Sequence, residues 1–384
     1  MIPYGKQDIT DEDIAAVSTV LKSDFLTTGP AVPEFEEKIL DYCSVKHAIA
    51  CNSATSALHI ACLALDLGKG DILWTVTNSF VASSNCALYC DASVDFLDID
   101  IETFNLDTDL LETKLANAKK NNLLPKILVC VHFGGSPCDM EKIFKMSQKY
   151  NFKIIEDSSH AIGASYLNDA KVGSCKFCDA NVFSFHPVKI ITTGEGGVIT
   201  TNSKDLANKM SMLRTHGITR DNKMMNGVSD GDWYYQQILL GLNYRMTDIH
   251  AALGSSQMNR LDQYIDQRRE LAHRYNDLLK DLPVSVQSMD IDRSSVHLYP
   301  ILFENSHVRK KVFDFMRKNG IGVNVHYIPI HTQPYYKKLG FSKGDFPIAE
   351  DYYARAISIP IYGSMDFDTQ DKVVKVIKDA LSSI

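Results

Sequence analysis

The stretch Lys153-Ile154-Ile155-Glu156-Asp157-Ser158-Ser159-His160 runs from a short apolar piece straight into two carboxylates, two serines and a histidine. It reads as a strand that stops at the edge of a sheet and hands polar side chains to the following loop. Apolar runs of the same kind recur at His47–Cys51, Ile72–Val76, Val94–Leu97, Ile127–Val131, Asn181–Phe185 and Val198–Thr201, with segments of helical period such as Glu141–Tyr150 between them. Strands buried on both faces lose the apolar/polar alternation, so this pattern predicts an α/β fold: a mostly parallel sheet with helices on both sides.

Upstream, Thr10 precedes Asp11, Glu12 and Asp13, an N-cap with an acidic first turn, and Ile14, Val17, Val20 and Leu21 follow at helical spacing. Pro33 suits the first turn of a second helix with Phe35, Ile39, Leu40 and Cys43 on its apolar side. The βα regularity stops near Leu253, where Gln257–Lys280 predicts one long charged helix with Leu261, Ile265, Leu271, Tyr275 and Leu278 inward. Beyond it, Val296–Leu302 and Gly322–Tyr327 read as strands, and Val308–Lys318, Ile348–Arg355 and Thr369–Leu381 as helices. A chain of 384 residues exceeds one ordinary core. We therefore expect a large domain over 1–253 and a smaller α+β domain over 254–384, with the N-terminal segment packing on the small one.

Hydrophobic residues make up 45% and charged residues 23% of the chain, enough apolar surface to fold without metal or disulfide staples. A net charge of −7 supplies no field for nucleic acid or an anionic membrane, so neither is expected as a partner. The richest apolar stretch, Ala57–Leu67, contains His59 and Asp66 and is too short to span a bilayer. Nine cysteines, an odd number, and the absence of a leader pattern at Met1–Asp8 point to the cytoplasm. Cys175 and Cys178 have CxxC spacing but no second ligand pair, so they read as ordinary thiols and no metal is expected.

Four features fall at strand-to-helix junctions of the predicted sheet, where open α/β sheets build their sites. Asn52-Ser53-Ala54-Thr55-Ser56 either caps a helix or places backbone N–H groups on an anion. Asp157 either caps a helix or presents a carboxylate at the sheet edge. Phe183-Ser184-Phe185-His186-Pro187-Val188-Lys189 delivers a lysine just outside the sheet, where a lone lysine is ordinarily surface charge. Thr192-Thr193-Gly194-Glu195-Gly196-Gly197 is a turn needing glycine at positive φ. Taken together, an amine, an anion site and a carboxylate are what an aldehyde cofactor with a phosphate and a pyridine nitrogen requires.

At these residues the chain resembles the aspartate-aminotransferase-like enzymes of fold type I, specifically the DegT/DnrJ/EryC/StrS sugar aminotransferases. The resemblance runs from Thr27-Thr28-Gly29-Pro30 through Phe80-Val81-Ala82, Glu156-Asp157 and Lys189 to Gly241-Leu242-Asn243-Tyr244-Arg245-Met246 and His326-Tyr327. It implies pyridoxal 5′-phosphate as cofactor, with pyridoxamine 5′-phosphate as its intermediate form. Lys189 would carry the Schiff base and shuttle protons, and Asp157 would pair with the pyridine nitrogen. Phe80 would stack on the ring, His160 would contact the ring region, and Ser53, Ala54, Thr55 and Ser184 would surround the phosphate. Asn243 would reach the site from the neighbouring subunit of a homodimer, and Arg245, His326 and Tyr327 would meet substrate.

Within the group, Asn52–Leu58, Ser83–Tyr89, Val182–His186 and His297-Leu298-Tyr299-Pro300 are most similar to members that aminate UDP-linked 4-keto-6-deoxy-N-acetylhexosamines toward pseudaminic acid. L-Glutamate is the implied donor, and another 4-keto or 3-keto sugar nucleotide, dTDP- or GDP-linked, is the alternative acceptor. Ile190, and Asn78-Ser79, depart from relatives that tend to carry proline after the lysine and before the serine. Related sugar dehydratases have histidine where this chain has Lys189, and a non-catalytic binding protein would not need Lys189, Asp157 and Ser184 together. Arg214, His216 and Arg220 stand as unranked anion binders, and His331, Tyr335 and Tyr336 as either pocket lining or packing.

Overall fold

The computed structural model describes residues 1–384. Its main sheet has seven strands: β1 (His47–Cys51), β2 (Ile72–Val76), β3 (Ser93–Leu97), β4 (Ile127–Val131), β5 (Lys153–Asp157), β6 (Ala180–Ser184) and β7 (Gly197–Thr201). They lie in the order β1-β7-β6-β5-β4-β2-β3, and only β7 runs antiparallel to its neighbours. Along β4, Ile127 and Val129 enter one core and Leu128 and Cys130 the other, and all four are fully buried. Ile154, Phe183 and Val198 continue the second set, and Ile155, Val182 and Ile199 the first. Burial on both faces is thus why these strands read as unbroken apolar runs.

The covering helices are α1 (Asp11–Leu21), α2 (Ala31–Cys43), α3 (Ala54–Ala64), α4 (Ala82–Leu88), α5 (Thr108–Asn121), α6 (Met140–Tyr150), α7 (Lys204–Arg214) and α8 (Asp248–Met258). Residues of α3, α4 and α7, among them Leu58, Cys86 and Met210, close one face. The other is closed by α2, α5, α6 and α8 through Phe35, Leu111, Ile143 and Ala251. A short antiparallel pair, β8 (Ile218–Thr219) with β9 (Gln236–Gln237), two residues to a strand, follows α7. After α8 come α9 (Leu261–Leu279), β10 (Val284–Val286), β11 (Tyr299–Phe303), α10 (Ser306–Lys318), α11 (Pro334–Lys337), α12 (Pro347–Arg355), β12 (Ala356–Ile359) and α13 (Phe367–Ser382). Strands β10 to β12 form an antiparallel sheet whose Ile301, Phe303 and Ile357 share a core with Tyr275, Met316 and Ile377.

Three expectations change. Gln257–Lys280 is two helices, because the chain turns at Asn259–Arg260 around a residue of α1. Buried Asp13 takes Arg260 Nη2 at 2.6 Å and Gln257 Nε2 at 2.7 Å. Burial pushes the Asp13 carboxyl up, but Arg260, Ser256, Gln257 and the Thr10 N–H hold it below the usual range. Gly322–Tyr327 is no strand: its one sheet contact is the bridge from Asn324 to Ser358, and the Asn324 side chain takes the Val325 N–H at 2.8 Å in competition with a ladder. Lastly, the apolar stripe of α1 is not all inward, since Ile14 and Leu21 are each 56% exposed.

Three connections join the second sheet's neighbourhood to the first and to the chain's start. Asp98, just after β3, accepts the Ile348 and Ala349 N–H groups at 2.9 and 2.8 Å, capping α12. Buried His331 bridges Thr77 Oγ1 at 2.6 Å, after β2, to Glu350 Oε1 at 2.9 Å on α12. The N-terminal strand-like strap is held by Ile2 N to Gly320 O at 2.8 Å and Ile361 N to Tyr4 O at 3.1 Å. No helix is long and apolar enough to cross a membrane.

Candidate active site

A cavity of about 500 Å³ opens at the carboxyl ends of β5 and β6. Asp157, the last residue of β5, and Ser184, the last of β6, both line it, as do Ser53, Ala54, Thr55, Phe80, His160, Lys189, His326 and Tyr327. Four chain segments read as separate features in the sequence therefore meet in one place.

One end of the cavity is an anion cradle. Ser53 caps α3, its Oγ taking the Ser56 N–H at 3.1 Å, so the plain capping reading is realised for Ser53. The Ala54 and Thr55 N–H groups have no acceptor within the chain, leaving two helix N-terminal donors for a ligand. Gly197 makes room here: a Cβ on it would lie 2.5 Å from Ala54 N, so β7 can start against α3 only as glycine. Of the glycines in the preceding turn, only Gly194 uses the left-handed region, at φ +81°.

The opposite end is a carboxylate. Asp157 is buried and accepts hydrogen bonds from Ser83 Oγ at 2.6 Å and Ser159 Oγ at 2.6 Å, which fix its plane. Ser83 in turn meets Ser79 Oγ at 2.7 Å. Between the ends stands Lys189, half-buried, with no ion pair of its own. Burial pushes its ammonium down to about 8, against a smaller opposing pull from Asp157. The free base is thus accessible near neutral pH. We expect the rate at which cofactor-free protein captures an aldehyde at Lys189 to rise with pH up to about 8 and level off above it, read by stopped-flow absorbance.

The third wall is aromatic and neutral. Burial, and then the nearby Lys189 charge, push His160 well below its ordinary value. His160 Nδ1 accepts the Gly134 N–H at 3.3 Å, so Nε2 carries the proton and donates to Tyr327 OH at 3.0 Å. His326 is pushed down to about 3, chiefly by burial. Tyr327 is raised by burial first and by Asp157 second, so its phenol stays protonated. Its backbone N–H is taken by Asn78 Oδ1 at 3.1 Å. Phe80 is 58% exposed at the rim and meets the Tyr327 ring at 6.3 Å.

Two named residues stay outside. Asn243 is exposed and Arg245 pairs with Cys51 in an isolated bridge, and neither lines the cavity. Arg214 is engaged with Glu36 at 2.6 Å, while His331 and Tyr336 are packing residues with almost no exposure. The sequence reading missed Tyr4, Ser83, His297, Glu195 and Asn324 as lining or supporting groups. Only Ser83 left a usable signal, its i, i+4 spacing from Ser79 as α4 begins.

A family model for the DegT/DnrJ/EryC1/StrS aminotransferases matches residues 7–378. The chain belongs to that family. It is 40% identical over 390 residues, covering 100% of this chain and 97% of the relative, to the UDP-4-amino-4,6-dideoxy-N-acetyl-β-L-altrosamine transaminase of Campylobacter jejuni (serotype O:23/36, strain 81-176). Among solved structures it is similar to Helicobacter pylori PseC, described as an aminotransferase involved in the biosynthesis of pseudoaminic acid, with a TM-score of 0.89, 32% identity and full coverage of both chains. The PLP-form of the putative sugar aminotransferase Spr1654 from Streptococcus pneumoniae gives a TM-score of 0.89 at 27% identity, covering 100% of this chain and 99% of that one.

Proposed function

We propose that this aminotransferase uses pyridoxal 5′-phosphate to move an amino group from L-glutamate to C4 of a UDP-linked 4-keto-6-deoxy-N-acetylhexosamine, in pseudaminic acid or related glycan synthesis. The observation that carries the reading is Lys189, an amine shifted toward its free base, standing between free α3 N–H donors and a buried carboxylate. That donor set fits the cofactor: Ala54, Thr55 and Ser184 toward the phosphate, Asp157 toward the ring nitrogen, Phe80 and His160 about the ring. When bound, the cofactor supplies an aldehyde for amines and a ring that takes up the electron pair left by a departing α-proton.

Lys189 would hold the bound cofactor through its amine. When freed, it would stand as a base able to take the proton from the donor's α-carbon and to return one, a general acid–base role. The same movement in reverse serves the sugar. Asp157, fixed by two serine hydroxyls, would face the ring nitrogen and favour a proton there. The neutral histidine wall keeps positive charge away from Lys189, favouring its reactive form.

Support for a homodimer with shared sites comes from what the cavity lacks. Lys189 is the only lysine or arginine lining it, yet both substrates carry two or more negative groups. Arg245 and exposed Asn243 would serve a neighbouring copy, which the exposed apolar Ile14, Leu21 and Phe25 favour as a covering surface. The test is incubation with L-glutamate and UDP-, dTDP- and GDP-linked 4-keto-6-deoxy sugars, with products read by mass spectrometry and C4 configuration by NMR. We expect the UDP-N-acetyl substrate to be aminated fastest; amination of no keto sugar overturns the substrate class.

A further inference from the structure

The cavity has one wall on which the transaminase reading leaves Tyr4 and Asn324 without work. It is built by the N-terminal strap and the segment following Gly322, and it brings Tyr4, Asn324 and His326 together at the cavity's edge. The strap is anchored rather than loose. Ile2 exchanges backbone hydrogen bonds with Gly320 and Gly322 at 2.8 and 2.6 Å, and Tyr4 O takes the Ile361 N–H at 3.1 Å. A Cβ on Gly322 would lie 2.9 Å from Ile2 O, so glycine there lets the strap press close. The strap then runs beside Val188, the neighbour of Lys189: a Cβ on Gly5 would lie 3.7 Å from Val188 O.

The chemistry of this wall is uncharged. His326 Nδ1 sits 2.8 Å from Ser358 Oγ, and Asn324 Nδ2 lies 3.3 Å from His326 Nε2. An amide N–H donating to Nε2 requires the Nδ1–H tautomer, so the ring is neutral. Tyr4 packs on it with ring centroids 5.3 Å apart. Asn324 uses its oxygen on Val325 N and turns its amide toward the Tyr4 phenol oxygen, which orients the phenol and leaves its O–H for a ligand. Neither carboxylate of an amino donor finds a cation here. Neutral donors and acceptors beside an aromatic face suit the hydroxyl and acetamido groups of a sugar.

We infer that Tyr4, carried in by the N-terminal strap, is a specificity-determining residue that holds the sugar ring of the acceptor with Asn324, an inference resting on the nucleotide-sugar reading above. Tyr4 acts in one half of the reaction and not the other. That asymmetry separates it from a general packing role.

The test compares wild-type holoenzyme with Tyr4→Ala and Tyr4→Phe. The glutamate half-reaction is followed by the change in cofactor absorbance, and the sugar half-reaction by amination of the UDP-linked 4-keto-6-deoxy-N-acetylhexosamine. We expect Tyr4→Ala to raise KM for the sugar nucleotide about tenfold, Tyr4→Phe to fall between it and wild type, and the glutamate half-reaction to change by far less. Equal losses in both halves, or an unchanged sugar KM in Tyr4→Ala, overturn the assignment. If Tyr4→Ala fails to fold, Tyr4→Phe decides: a sugar KM indistinguishable from wild type overturns the phenol's role. A wild-type enzyme that takes nitrogen from glutamate but aminates no sugar overturns the substrate reading itself, and that result appears without any variant.

Discussion

Lys189→Ala is expected to abolish turnover, with a fall of more than about 10³-fold in both half-reactions, because on the proposed reading a holding amine and an acid–base group are lost with one side chain. Geometry makes the loss hard to replace. No other lysine or arginine lines the cavity, and of the four histidines that do, His160, His297 and His326 are held neutral by burial, with His160 and His326 already engaged in hydrogen bonds. The cradle at α3 and the Asp157 carboxylate remain in the variant, so noncovalent cofactor binding persists while covalent attachment does not. Borohydride reduction followed by peptide mass spectrometry checks this: wild type is labelled at residue 189 and the variant nowhere. Appreciable turnover in the variant, or labelling of another lysine, would falsify the assignment.

Asp157→Asn is expected to lower both half-reactions by about 10² to 10³-fold, the scale on which removing a preorganised electrostatic partner acts. The substitution keeps the side chain's shape; its oxygen serves one of the two serine hydroxyls, and the other hydroxyl can turn to accept from the new amide N–H, so the fold and the β5 edge are expected to survive. What disappears, on the proposed reading, is the negative charge that would favour a proton on the ring nitrogen. Single-turnover absorbance with glutamate measures the effect directly. Unchanged rates in a variant with wild-type thermal stability would leave Asp157 only its local role of accepting the Ser83 and Ser159 groups.

The parts of this site that could be read from the chain are those at strand ends. Asp157, Ser184 and Lys189 follow apolar runs whose length and β-branched content announce them, and the sheet's geometry does the rest. Residues placed by long-range contact left no such trace. Tyr4 reaches the cavity only because Ile2 pairs with Gly320 and Gly322 more than three hundred positions later. The break before α9 is likewise invisible locally: Gln257–Lys280 has a continuous helical pattern, and it is Asp13 of α1 that draws Gln257 and Arg260 into the turn. At Gly322–Tyr327 the apolar alternation was real, but Asn324 turned its amide on its own backbone and the ladder did not form.

The Asp98 cap on α12 and the Thr77–His331–Glu350 bridge bear on how the enzyme meets its substrates. They tie the element behind the His326–Tyr327 wall to the ends of β3 and β2, the second of which leads directly into Ser79 and Phe80. The two jaws of the cavity are therefore set at a fixed gap before any ligand arrives. Their ordering entropy is lost once, when the chain folds, and not again at each encounter.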